Sequence, residues 1–215
     1  MAIEPEDLEL LKQIRYKFPD GDKCAILGDC HAYVANGLNE VAQQLKFQNI
    51  DTFDINGNPS YKIDLNYPID RDLYGRYNVV IDSGTLYCCF DICTVWQNIL
   101  NILVDDGCVI HTGNLSGFFG RGFYSLSPAL FRDFYNANGF TIHLMASKTR
   151  QERNWQSFDP NHTYLLNTNL NFQEHSGDYV PKIPNDAMIC CFAKRTHRAE
   201  FTKPIPQHFI DTNGG

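Results

Sequence analysis

No stretch of this chain stays apolar for the ~20 residues that a membrane-crossing helix needs. The longest contender, Val95 to Val104, is interrupted by Gln97, Asn98 and Asn101. The opening residues, Met-Ala-Ile-Glu-Pro-Glu-Asp, are acidic and carry no apolar core, so a signal peptide is not expected. Positive charge is scarce too: 18 lysines and arginines face 25 aspartates and glutamates, a net charge of -7. That balance argues against duplex nucleic acid or an anionic membrane as the main partner. A G-x-G-x-x-G fingerprint is missing, and the glycine-rich stretch Gly113 to Gly122 lacks the lysine and hydroxyl of a phosphate-binding P-loop. Cys88, Cys89 and Cys93 lack the paired C-x2-C spacing of a structural zinc site, so no metal site is expected. Cys30 beside His31 is no better as a nucleophile pair, because adjacency in sequence does not create the geometry. Cys24, Cys108, Cys190 and Cys191 sit in apolar runs and read as reduced, buried thiols of a cytoplasmic protein.

What is present suits one α/β domain. The chain has 215 residues, 43% hydrophobic and 20% charged, enough for a full core. Pro5 to Arg15 reads as a helix with proline in its first turn. Lys23 to Gly28 is a first strand, followed by Leu38, Val41, Ala42 and Leu45 at helical spacing with Asn36 as a cap. Ile50 to Asp54 and Ser60 to Leu65 are the next strands. Tyr77 to Asp82 is the strongest strand signal, and Asp91 to Leu103 its helix, with Trp96, Ile99, Leu100 and Leu103 as a stripe. Asp105-Asp106-Gly107 reads as a turn into the strand Cys108 to Thr112. Ser127-Pro128 caps a helix reaching Asn138, after which Phe140 to Ala146 is a strand. Ala187 to Arg195 is the last strand, and about 148–186 is an irregular insertion of the kind that often covers a site. The alternation predicts a Rossmann-like, doubly wound, mostly parallel sheet of about seven strands with helices on both faces.

In such sheets the ligand crevice lies beyond the carboxyl ends of the strands. The residues found there are Gly28-Asp29-Cys30-His31, Asp54-Ile55-Asn56, Asp64-Leu65-Asn66, Asp82-Ser83-Gly84-Thr85 and His111-Thr112-Gly113-Asn114. Asp54 follows Gly28 by one strand-helix-strand unit, where a carboxylate can accept both hydroxyl hydrogens of a ribose; capping a turn is its other role. Asp64 stands where an adenine amino group could be met, or closes an Asx turn. Asp82 orients a ligand or holds a turn.

The run from Tyr77 to Phe140, YNVVIDSGTLYCCFDICTVWQNILNILVDDGCVIHTGN and then GRGFYSLSPALFRDFYNANGF, resembles class I S-adenosylmethionine-dependent methyltransferases. The likeness extends over about 22–146 and 187–195. It implies a methyl-transferring enzyme for a small-molecule or sugar-like acceptor, with S-adenosylmethionine as cofactor and S-adenosylhomocysteine as product. It also implies that Gly28 passes the methionine moiety, that Asp54 and Ile55 meet the ribose, and that Asp64 and Leu65 flank the adenine. Asp82, Ser83 and Gly84 would then form the floor of the site. The loop after the first strand departs from the family: Asp29, Cys30 and His31 replace glycines whose freedom lets the backbone approach the cofactor.

His111 and Tyr124, together with His31, are the candidates for base or substrate orientation, and Arg121 lies in the same loop as Tyr124. Phe118, Phe119, Phe123 and Tyr124 suit a flat or sugar-like acceptor, or a partner subunit, which leaves room for a homodimer. Two rivals stand beside the methyltransferase. One is a binding or scaffold protein keeping the fold without the chemistry; the other is a nucleotide-dependent oxidoreductase, which the missing fingerprint disfavours.

Overall fold

Short apolar runs bounded by glycine or acid become the strands, and the stripes between them become the helices. The computed structural model describes residues 2–118, 120–149, 152, 154–158, 173–175, 178–180 and 186–206. In chain order the elements are β1 (Ala2–Ile3), α1 (Pro5–Lys17), β2 (Lys23–Leu27), β3 (His31–Ala32), α2 (Leu38–Leu45) and β4 (Asn49–Asp54). They continue with β5 (Tyr61–Lys62), β6 (Tyr77–Ser83), α3 (Ile92–Ile102), β7 (Leu103–Ser116), α4 (Pro128–Ala137) and β8 (Phe140–Thr149). The last are β9 (Gln156–Phe158), β10 (Gln173–His175), β11 (Asp178–Val180) and β12 (Ala187–Arg195).

Eight strands form the main sheet in the order β5-β4-β2-β6-β7-β12-β8-β9. The first five pair in parallel. Strand β12 is antiparallel to both β7 and β8, so β8 runs in the same direction as β7. The order reverses on either side of β2 and β6, and that reversal opens a crevice at their carboxyl ends.

Alternation along each strand serves two cores. Ala25, Leu27, Val80, Val109 and Cys191 face α3 and α4, whereas Cys24, Ile26, Val79, Ile81, Cys190 and Phe192 face α1 and α2. Helices therefore cover both faces, and each fully buried Ile, Leu or Phe contributes roughly 1.5–3 kcal/mol. Among the described residues no helix is long and apolar enough to cross a membrane.

Helix α1 starts at Pro5 behind a reciprocal capping box, in which Glu4 caps the third residue and Glu4 N–H donates to Asp7 Oδ2 at 3.2 Å. Helices α3 and α4 start behind Asp91 and Ser127, whose side chains accept from Thr94 N–H at 3.0 Å and Ala129 N–H at 3.2 Å.

Several expectations are corrected. Asp105-Asp106-Gly107 is not a turn but a bulge inside β7: the register passes from Tyr77 opposite Leu103 to Val79 opposite Cys108. Gly37, at φ 58°, caps α2, and Asn36 instead donates to Glu40 Oε2 at 3.1 Å. The third strand shrinks to Tyr61–Lys62 because Asp64 turns the chain. The eighth strand, β9, lies in the stretch expected to be irregular, and Lys148 and Thr149 finish β8. The hairpin β10–β11 lies in that stretch too, and the rest of 148–186 falls outside the described residues apart from 152, 154–155 and 186.

Candidate functional site

The chain bends sharply after β2 at Gly28, whose φ of 100° an L side chain would strain. Gly28 N–H donates to Phe53 O at 2.7 Å, which brings the bend against the end of β4. Asp54 then receives Asp29 N–H on Oδ2 at 2.6 Å and Asn56 N–H on Oδ1 at 2.9 Å. A carboxylate has about four acceptor positions, so two remain after these bonds. Ile55, beside it, is 52% exposed.

The altered loop behaves in a way its letters did not disclose. Asp29 turns to the β4–β5 connection, where Oδ2 accepts Asn58 N–H at 3.0 Å. Gly57 permits this approach, since a Cβ there would lie 2.0 Å from Asp29 Oδ2. Cys30 is buried, and burial pushes its thiol up to about 11. His31 stays exposed, because 31–32 pair in parallel with Ala2–Ile3 as β3 and β1.

Asp64 closes the Asx turn: Oδ1 accepts Asn66 N–H at 2.9 Å and Asn66 Nδ2 at 2.8 Å. Its Oδ2 has no hydrogen-bond partner among the described residues. Leu65 is 5% exposed and belongs to the core, so its side chain flanks no ligand; its carbonyl accepts from the buried Asn98 at 3.1 Å.

Asp82 is fully buried, which corrects its reading as a ligand-facing group. Oδ1 accepts Thr85 N–H at 2.7 Å and Leu86 N–H at 3.1 Å, and Oδ2 faces His111 Nδ1 at 2.8 Å. His111 is equally buried, and its Nε2 lies 2.6 Å from Tyr135 Oη. Asp82 Oδ2 and Tyr135 Oη thus engage both ring nitrogens of His111. Trp96 and Phe131 pack on the imidazole at 4.8 and 5.1 Å. His111 therefore holds structure, with both ring nitrogens engaged and no face to a substrate. Burial drives the Tyr135 hydroxyl far above its usual range, so it stays protonated beside His111. Tyr124 is corrected as well: its hydroxyl donates to Phe90 O at 2.7 Å, stapling two loops together.

This buried chain shapes the floor. Asp82 holds the turn Ser83-Gly84-Thr85, and Thr85 Oγ1 donates to Leu27 O at 2.6 Å. Gly84 has φ 94°, and Ser83 Oγ donates to Ala2 O at 3.0 Å. Above the floor lies a cavity of about 780 Å³ at the carboxyl ends of β6, β7 and β8. Ser83, Gly84, His31, Arg121, Tyr87 and Asn114 are among its walls. Burial pushes the Tyr87 hydroxyl up to about 12. The amino end of α1 closes one side, tied to β8 by Asp7 Oδ1 at 2.5 Å from Lys148 Nζ and 3.1 Å from Trp155 Nε1.

The structure thus brings together Gly28, Asp54 and Ile55 in one place, and Ser83, Gly84, His31 and Arg121 in another. Sequence reasoning found no role for Tyr87, Asn114 or the first residues of α1. Asn114 was visible as a strand-end residue, but nothing in its letter distinguished it from Thr112 or Gly113.

No family model matches the chain, and no curated protein matches it in sequence. Solved structures match it in shape. One is the 1,6-didemethyltoxoflavin-N1-methyltransferase of Burkholderia thailandensis, with 1,6-didemethyltoxoflavin and S-adenosylhomocysteine bound: TM-score 0.54, 10% identity, 88% of this chain and 78% of that chain. Another is the branched-chain polyamine synthase of Thermus thermophilus, with TM-score 0.54, 11% identity, 95% of this chain and 60% of that one. A third is the (4+2)-cyclase SpnF, with TM-score 0.51, 10% identity, 88% of this chain and 80% of that one. The chain has the Rossmann-like fold of class I S-adenosylmethionine-dependent methyltransferases. A methyltransferase, a synthase and a cyclase share that fold, so the chemistry must be argued from the site.

Proposed function

We propose that the chain is an S-adenosylmethionine-dependent methyltransferase acting on a small-molecule or sugar-like acceptor. The observation that carries this reading is Asp54, held at the carboxyl end of β4 by two backbone N–H groups with two acceptor positions to spare. That arrangement suits the two hydroxyls of a ribose, and the exposed Ile55 suits the adjoining ring. Gly28, Gly84 and the free oxygen of Asp64 complete the set that would hold the cofactor, with Leu65 and Asp82 supporting it from below. Bound S-adenosylmethionine would supply an electrophilic methyl group on a sulfonium.

The cavity wall supplies the rest. Positioning an acceptor nucleophile in line is the main requirement, which the enclosed floor of Ser83 and Gly84 favours. His31, exposed on the wall, is the base for an acceptor that arrives protonated. Arg121 and Tyr87 orient the acceptor from the opposite loop.

Calorimetric titration with S-adenosylmethionine and S-adenosylhomocysteine tests the reading. Both should bind one to one, and Asp54→Ala should weaken each by ~1.5–3 kcal/mol, the worth of a charged hydrogen bond. A scaffold that keeps the fold alone is favoured by one contact, Ser83 Oγ to Ala2 O, which fills the floor from within the chain. Absence of binding heat with either compound would select that second reading.

A further inference from the structure

Residues 2–7 form a strap along the cavity wall, with β3 at one end and the end of β8 at the other. Strand β1, within it, is two residues long and pairs with an equally short β3, a ladder too small to stand on its own. One end of the strap is tied by Ser83 Oγ donating to Ala2 O and by Tyr33 N–H donating to Ile3 O, both at 3.0 Å. The other end is tied by Asp7, which is 4% exposed. Asp7 Oδ2 accepts Glu4 N–H at 3.2 Å within the strap, while Oδ1 accepts Lys148 Nζ at 2.5 Å and Trp155 Nε1 at 3.1 Å. The Lys148 ammonium also lies 4.7 Å from the centre of the Trp155 ring, whose face attracts a cation. Its charge is thus engaged within the protein, opposite Met188 near the end of β8. A buried pair of charges adds little net stability, but any arrangement that parts the two leaves each without its partner. Such a pair fixes position.

We propose that Lys148, acting through Asp7, is a positioning residue: it clasps the strap to β8 and thereby holds His31 in the cavity wall. Ala2 stands in register with His31 and Ile3 with Ala32, so a strap freed at Asp7 loosens 31–32 at its other end. His31 is exposed and lines the cavity, and the short β1–β3 ladder is what seats it there. The catalytic consequence, a base out of place, rests on the proposed function; the coupling of Lys148 to His31 does not.

The test uses the full chain, isotopically labelled and without ligand, as wild type, Lys148→Met and Asp7→Asn. The first variant removes the cation and the second the anion, each at nearly constant size. Amide and imidazole NMR signals are compared, with thermal unfolding as the check on folding. The Ile3, Ala32 and Tyr33 amides and the His31 ring signals should shift in both variants, while the Ile26 and Ile81 amides in β2 and β6 keep their positions. The direction of the shifts is decisive. Release of the strap moves the 31–33 signals the same way in both variants, whereas a through-space effect of the lost charge moves them in opposite ways. Lost stability alone would lower the unfolding temperature without moving native-state signals at 31–33. Lys148→Gln, with a polar end group, takes the place of the methionine variant if that one does not fold. Signals at 31–33 that stay in place in the folded variants, or that move in opposite directions, would overturn the proposal. S-adenosylhomocysteine titrated into the wild type alone reads the proposed function: absence of binding would remove the base's role from His31 and leave the coupling standing.

Discussion

His111, within β7, and His31, at the start of β3, both read from the sequence as residues of the crevice edge, yet they inhabit opposite worlds. His111 sits on β7 beneath α4, with Trp96 and Phe131 on its ring and both nitrogens bonded. His31 sits on a two-residue strand that pairs with Ala2–Ile3, and it is exposed and lines the cavity. What separates them is not the strand end but whether a helix covers that face of the sheet. The covered histidine became part of a polar brace under the floor; the uncovered one is available to a ligand.

Breaking the brace should give the largest effect. His111→Ala leaves the Asp82 carboxylate buried without its partner and a gap against Trp96, so stability should fall by about 3–5 kcal/mol in urea unfolding. A loss under about 1 kcal/mol would mean the pair is not the anchor described. Tyr135→Phe removes one donor from the same chain and should cost about 1–2 kcal/mol by the same measurement. His31→Ala is the counterpart: its unfolding free energy should stay within about 0.5 kcal/mol of the wild type. Destabilisation equal to that of His111→Ala would erase the distinction.

The smallest effect is a pH slope. Partial burial, then the positive charge of Lys194, holds the His143 imidazole below its usual value. Between that lowered value and about 6.5 the unfolded chain binds more protons, so stability rises with pH across that interval and is lost as pH falls through it. His143→Gln should flatten the slope slightly in unfolding curves taken from pH 5 to 7; a steeper slope would contradict the direction.

The same contrast explains how far the sequence could be read. Unbroken apolar runs such as Cys24 to Leu27 and Val79 to Ile81 made the parallel sheet legible, because both faces of those strands are buried. The cap at Ser127 was legible because one side chain and one N–H suffice to make it. Asp105-Asp106-Gly107 misled, since the same letters that favour a turn also favour a bulge. His111 and Tyr124 misled because long-range partners, Tyr135 Oη and Phe90 O, decide where their polar atoms go. Asp29, read only as a replacement for a flexible glycine, turns its carboxylate to the β4–β5 connection through its bond from Asn58 N–H. Contacts between residues far apart in the chain leave no period to read.

Titration of isotopically labelled protein with S-adenosylhomocysteine, followed by amide and imidazole NMR shifts, tests the separation of open site from closed brace most directly. The largest changes should fall on the amides of Gly28, Asp29, Ile55 and Asn56 and of the Ser83–Thr85 turn, with the His111 ring signals left in place. Saturating ligand that moves the His111 ring signals as strongly as those amides, or that leaves the Asp54 loop unmoved, would contradict the account.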